Sequence, residues 1–293
     1  MSSIVQGAQV RRRPNSQSKQ AWNRFKKNYF AVFGLAWVVL FIIVGIIGPW
    51  VAPYSYSATD FLNVNQPPSA LHIMGTDQLG HDLFSEILYS IRYALEIAFG
   101  ATLVSFFIGV ALGLWAGMKG GIIDTIIMRL VDFMMAFPAF FFDLILVVKF
   151  GRGMGPILLA IGVVGWSGYA RLIRSLVLGL RQGDMVEAAT CLGASPLRVA
   201  RLYLLPNVLS SMLVSLAFGI PNDLIAQAGL SVVGMGLAPP MPSFGNLVAQ
   251  AGSMVLGYPW MMYFPAGVFA LTLLSFLFVA DGMNDALNPK GGY

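Results

Sequence analysis

Six apolar stretches dominate this chain: Tyr29–Val51, Ala94–Gly117, Arg129–Lys149, Pro156–Leu178, Pro206–Val233 and Trp260–Gly282. A bilayer core about 30 Å thick needs roughly 20 apolar residues of helix to cross it. Each stretch meets that length, so the chain reads as an all-α integral membrane protein with six transmembrane helices. Composition agrees. Residues of the AVILMFWYC set make up 57% of the 293 and DEKR only 11%, against roughly 25% charged in a soluble domain. So few charges cannot clothe a soluble globule. The first stretch exceeds the roughly 7–15 apolar residues of a signal peptide and lacks an A-x-A-like site, so it is expected to be retained.

Charge distribution orients the spans. Arg11, Arg12, Arg13, Lys19, Arg24, Lys26 and Lys27 precede the first span, and Lys119, Arg129, Arg171, Arg174, Arg181, Arg198, Arg201 and Lys290 fall on the same side. Only Arg92, Lys149 and Arg152 fall on the other. Fifteen of the 18 cations therefore share one side, which predicts that both termini are cytoplasmic. Residues 1–28 read as a basic cytoplasmic tail at the membrane, not a nucleic-acid arm. Residues 52–93 form an outer loop, and residues 94–293 form a core of five spans. With one cysteine, Cys191, no intrachain disulfide can form. His72 and His81 lie nine apart with no carboxylate–histidine cluster apparent in the sequence, so no metal site is expected.

Two outer loops, 52–80 and 235–259, are rich in proline and long for simple connectors. In 77–95, Leu79, Leu83, Ile87, Leu88, Ile91 and Leu95 follow helical spacing, which predicts an amphipathic helix on the outer membrane surface, capped by Thr76 or Asp77. The inner connection 181–205 is too charged to cross lipid. Asp184 and Glu187 have the spacing of a capping box. Gly193 suits a helix C-terminus, and Ser195-Pro196 suits the start of a second helix that carries Arg198 and Arg201 on one face.

Glu187-Ala188-Ala189-x-x-x-Gly193, closing on Leu205-Pro206, resembles the EAA loop of permease subunits of ABC importers; Tyr203 stands where isoleucine is usual. Gly75-Thr76-Asp77-Gln78-Leu79-Gly80-His81-Asp82, followed by Ser85, resembles the Gly-Thr-Asp-x-x-Gly-Arg-Asp segment of C-type permeases for dipeptides, oligopeptides and nickel, with His81 in place of arginine. Gly120-Gly121-x-x-Asp124, Met128-Arg129-x-x-Asp132, Ala136-x-Pro138 and Gly234-Met235-Gly236 match the same subfamily.

The resemblance implies a type I importer architecture in a prokaryotic plasma (inner) membrane. It implies a second homologous permease subunit, two ATPase subunits and an external solute-binding protein, with 181–205 as the ATPase-coupling loop. The chain holds no Gly-Lys pair and hence no P-loop. ATP and magnesium are therefore expected on the partner subunits, with no catalytic, cofactor or metal residue here. Peptides are the expected cargo, with nickel or another small solute as the alternative.

Acids in spans face cavities or partners, because exposing one to lipid costs roughly 3 kcal/mol. Asp143 and Asp223 are the candidates for the translocation pathway. Arg129–Asp132 and Arg92–Glu96 are expected to pair along their own helices. An ion-driven secondary transporter would show repeated halves, and none is evident. An intramembrane enzyme would need a reactive set inside the spans, and both histidines lie outside them.

Overall fold

Helix α2 (Tyr29–Val51) coincides with the first apolar run. The Asn28 side chain opens it by accepting from the Ala31 amide at 3.2 Å, and Pro53 follows its end. The structure, a computed structural model, describes residues 17–287; Arg11, Arg12, Arg13 and Lys290 of the charge pattern lie outside the described residues. Before α2, part of the basic tail forms α1 (Gln17–Phe25), which buries Phe25 against Ala31 and Ala286.

The next element departs from expectation. Residues 83–119 form one helix, α3 (Leu83–Lys119), of 37 residues. At roughly 1.5 Å per residue it is about 55 Å long, more than a bilayer core. The surface helix expected over 77–95 is absent. Asp82 caps α3, and Leu83, Ile87, Leu88 and Ile91 are buried in protein. Their helical spacing marks a face packed against α2 and the outer loops, not against lipid. Spacing alone cannot distinguish these two apolar environments.

The third span is also corrected. Residues 129–149 do not form one straight helix. α4 (Gly121–Ala136) and α5 (Ala139–Phe150) meet at 88°. Pro138 lacks the amide needed to continue α4 and holds Phe137 in an extended conformation (φ −103°, ψ 144°). α5, with 12 residues, is about 18 Å long and cannot cross a bilayer core alone. Among the described residues, five helices are long and apolar enough to span, or six counting the bent pair as one.

The rest of the chain comprises α6 (Met154–Arg181), the short α7 (Asp184–Cys191) and α8 (Pro196–Val199), α9 (Leu205–Val232), α10 (Phe244–Gly252) and α11 (Trp260–Leu287). α8 does not stand apart from the fifth span. A π-helical turn, Ala200–Leu204, carries it into α9. Pro206 cannot donate to Leu202, and the wider turn absorbs the missing bond. α10, within the second outer loop, packs on α9 and α11 and was not anticipated; Ser243 caps it.

α3 and α6 make the most extensive helix contact. Gly109, Gly113 and Gly117 of α3 recur every fourth residue and face α6. A Cβ at Gly109 would lie 2.4 Å from the Tyr169 Cβ, and one at Gly113 would lie 2.6 Å from the Ala170 carbonyl oxygen. Small residues let the backbones approach, which drives helix association in lipid.

Two predictions follow from this packing and from the two ends it separates. Gly113→Leu is expected to destabilise the purified protein by about 1–3 kcal/mol or more in thermal unfolding, while Gly179→Leu, with open space around its Cβ, should change little. The exposed Cys191 should react with an impermeant thiol reagent only from the cytoplasmic side. In a Cys191→Ala background, Leu62→Cys and Leu256→Cys, at 92% and 99% exposed, should react only from outside.

Candidate functional site

The inner loop folds as a helical elbow. α7 starts after Gly183, so Asp184 is its first helical residue and forms no capping box with Glu187. Gly193 ends it at φ +80°, a conformation costly for any residue with a Cβ. The Gly193 and Ala194 amides donate to the carbonyls of Thr190 (2.9 Å) and Ala189 (3.0 Å), closing the helix end. The Ser195 hydroxyl then accepts from the Arg198 amide at 3.4 Å to open α8.

Val186, Ala189, Val199 and Leu204 turn inward, and all but Ala189 join Ile173, Val177, Val208 and Met212 in one core cluster. Glu187, Ala188, Gly193, Ser195, Arg198 and Arg201 face outward. Leu192 and Leu197 do so too, 90% and 77% exposed. Arg174 of α6 grips Asp124 of α4 through two bonds, at 2.5 and 2.6 Å, close to this elbow's root. Asp132 pairs with Arg171 of α6 rather than with Arg129, because α6 packs beside α4. The Arg92–Glu96 pair forms as expected, at 2.8 Å.

A polar cleft of about 350 Å³ lies between α3, α6 and α9, lined by Ser105, Tyr169, Ser215, Gly219, Asn222 and Asp223 among others. Asp223 accepts from the Thr102 hydroxyl at 2.6 Å. The Tyr169 hydroxyl donates to the Ser215 carbonyl at 3.4 Å and fills the space that a side chain at Gly219 would need. Asp143 does not line this cleft. It is 3% exposed on α5, and its Oδ1 has no hydrogen-bond partner among the described residues. Asp223 is thus among the residues that line the cleft, and Asp143 is buried on α5 outside that lining.

At the opposite end, the outer motif is a hydrogen-bonded knot. The Thr76 hydroxyl donates to the Asn63 carbonyl (2.5 Å) and accepts from the Gln66 amide (2.8 Å). Asp77 Oδ1 accepts from the Leu79 and His81 amides, and Asp77 Oδ2 meets His81 Nδ1 at 2.8 Å. Asp82 caps α3 through the Ser85 amide and hydroxyl, and meets His72 Nδ1 at 2.9 Å. Gly80 sits at φ +78°, where a Cβ would lie 2.0 Å from the Asp60 carbonyl oxygen. A Cβ at Gly75 would lie 2.5 Å from the Gln66 carbonyl oxygen and 2.8 Å from the Trp260 ring. The expectation that the histidines lack carboxylate neighbours is overturned, since the loop's folding brings Asp82 to His72 and Asp77 and Glu86 to His81.

Comparison with known proteins places these features in context. Residues 109–291 match the family model for the inner membrane component of binding-protein-dependent transport systems. Residues 16–68 match the N-terminal transmembrane domain of oligopeptide transport permease C. The dipeptide transport system permease protein of Bacillus subtilis (strain 168) is 36% identical over 282 residues, covering 96% of this chain and 88% of that protein. The oligopeptide transport system permease protein of the same organism is 36% identical over 272 residues, covering 93% and 89%. The glutathione transport system permease protein of Pectobacterium atrosepticum is 34% identical over 273 residues, covering 93% and 91%. A chain of the MetNI methionine ABC transporter, solved in inward-facing conformations, superposes with a TM-score of 0.57 at 17% identity, covering 69% of this chain and 96% of that one.

The Thr102–Asp223 contact can be tested by a double-mutant cycle. Thr102→Val, Asp223→Asn and the double variant, compared in thermal unfolding, should give a coupling of about 0.6 kcal/mol, the average of interhelical hydrogen bonds in membranes, and at most about 1.7 kcal/mol. A coupling near zero would mean that the bond contributes nothing to holding α3 on α9.

Proposed function

Because this chain belongs to the family of binding-protein-dependent transport system inner membrane components, a multi-pass permease subunit of an ABC importer, we propose that it forms half of a translocation pathway for peptides or similar small solutes. Its curated relatives carry dipeptide, oligopeptide and glutathione names, and these solutes share a peptide backbone. The cleft bearing Asp223, Asn222 and Tyr169 supplies a carboxylate, an amide and a phenol of the kind that meet amines and amides.

The chain itself is not catalytic. Hydrolysis of magnesium–ATP belongs to two ATPase subunits docked on the cytoplasmic elbow, a second permease subunit completes the pathway, and a solute-binding protein delivers cargo from outside. The placing of 15 of 18 cations on one side supports a topology with both termini cytoplasmic.

The observation that carries this reading is the elbow. Leu192 and Leu197 stand exposed on the outer face of the charged turn between α6 and α9. Exposed apolar groups rimmed by charge mark a protein contact. Because α8 runs through the π turn into α9, a push on the elbow would move a cleft-lining helix directly.

Gly193→Trp is expected to abolish stimulation of ATP hydrolysis by loaded binding protein in the purified complex, and Glu187→Ala to lower it several-fold, with uptake falling in parallel. Membrane insertion should persist, since no apolar span is altered. Full stimulation in both variants would reduce the elbow to a passive linker.

A further inference from the structure

We propose that Asp77, His81 and Glu86 form a binding site for a first-row divalent metal ion of the Zn²⁺ type, at the end of the molecule opposite the elbow. One donor atom from each residue lies within 4.8 Å of the others. His81 Nδ1 is 2.8 Å from Asp77 Oδ2 and 3.8 Å from Glu86 Oε1. Ligands that share an ion at about 2.0–2.2 Å lie roughly 3.0–3.5 Å apart, so the His81–Asp77 pair would open slightly and Glu86 would close slightly to receive one.

The donors are held in place before any ion arrives. Asp77 is fixed through Oδ1 by two backbone amides, leaving Oδ2 directed at the imidazole. Glu86 projects from the first turns of α3, whose start is locked by Asp82 and Ser85. Such supporting bonds orient ligands at metal sites.

Glu86 provides the independent sign of a missing partner. It is 6% exposed, and its Oε2 has no hydrogen-bond partner among the described residues. An unpaired buried carboxylate is strongly unfavourable. Asp77 and Asp82, each 4% exposed, stand beside it. Among the described residues no Lys or Arg pairs with any of the three, and Arg92, the nearest in sequence, is engaged by Glu96. His72 and Ser85 serve Asp82, so Asp77 and Glu86 share one imidazole. A divalent ion would balance both carboxylates while His81 binds it as neutral imidazole. An imidazole donor favours Zn²⁺ and its neighbours over Mg²⁺ or Ca²⁺, which prefer all-oxygen shells.

The ion would clamp the 52–82 loop to α3. This site is independent of the cargo and coupling assigned above. The test uses the full chain, purified from membranes, stripped with EDTA, dialysed against Zn²⁺ and analysed for bound metal by mass spectrometry. About one Zn²⁺ per chain is expected in the wild type, with a higher unfolding temperature that Mg²⁺ does not reproduce. Glu86→Gln and His81→Arg should each lose the ion and the temperature shift; Arg supplies a fixed charge that cannot ligate. A Zn²⁺ content below about a tenth per chain in the wild type would overturn the proposal without reference to any variant. Equal Zn²⁺ in folded His81→Arg would place the ion elsewhere and overturn it as well.

Discussion

The close approach of α3 to α6 organises everything else. In lipid there is no hydrophobic drive to bring two apolar helices together, so contact depends on packing and on the few polar bonds between them. Gly109, Gly113 and Gly117 remove the side chains that would hold the backbones apart. Ser105 adds a hydroxyl bond to the Gly162 carbonyl across the same seam, at 2.8 Å. One wall of the polar cleft is this pair, and α9 and α5 pack around it. Separation of the seam would open the cleft and unseat the elbow together.

α3 also joins the two ends of the molecule. Its first turn is part of the outer knot, and its last turn, through Met118, borders the groove beneath α7 and α8. The outer loop has little apolar core of its own. It is held instead by buried bonds centred on Thr76, Asp77 and Asp82, and buried polar groups keep a fold only while every partner is in place. Glu86 Oε2 and Asn65 Oδ1 are members left short among the described residues, and the ion site proposed for Glu86 therefore bears on the loop's order.

At the elbow the arrangement is the reverse. It is anchored by apolar burial of Val186, Val199 and Leu204, while charged and apolar groups such as Arg198, Leu192 and Leu197 stand exposed on its outer face. The π turn makes α8 and α9 one lever. Arg174 and Arg171 tie α4 to α6 by ion pairs, and α5 packs on α6 through Val147 and Leu144.

Much of this was legible in the sequence. Apolar runs of sufficient length specify spans wherever they occur, so α2 and the spanning parts of α6 and α11 appear where hydropathy places them. The elbow was legible because Gly193 and Ser195-Pro196 act through local backbone chemistry, which needs no distant partner. The every-fourth glycine pattern of α3 is also visible in the sequence. Other features depended on partners remote in sequence. Only the folded chain shows that 83–95 is buried by protein rather than by lipid, that Asp132 chooses Arg171, and that Asp223 lines the cleft while Asp143 does not. The same holds for Glu86, nine positions from Asp77 and five from His81, which joins them only when the 52–82 loop closes onto α3. Local rules set helices and their ends; which side chains meet is decided by how the helices pack.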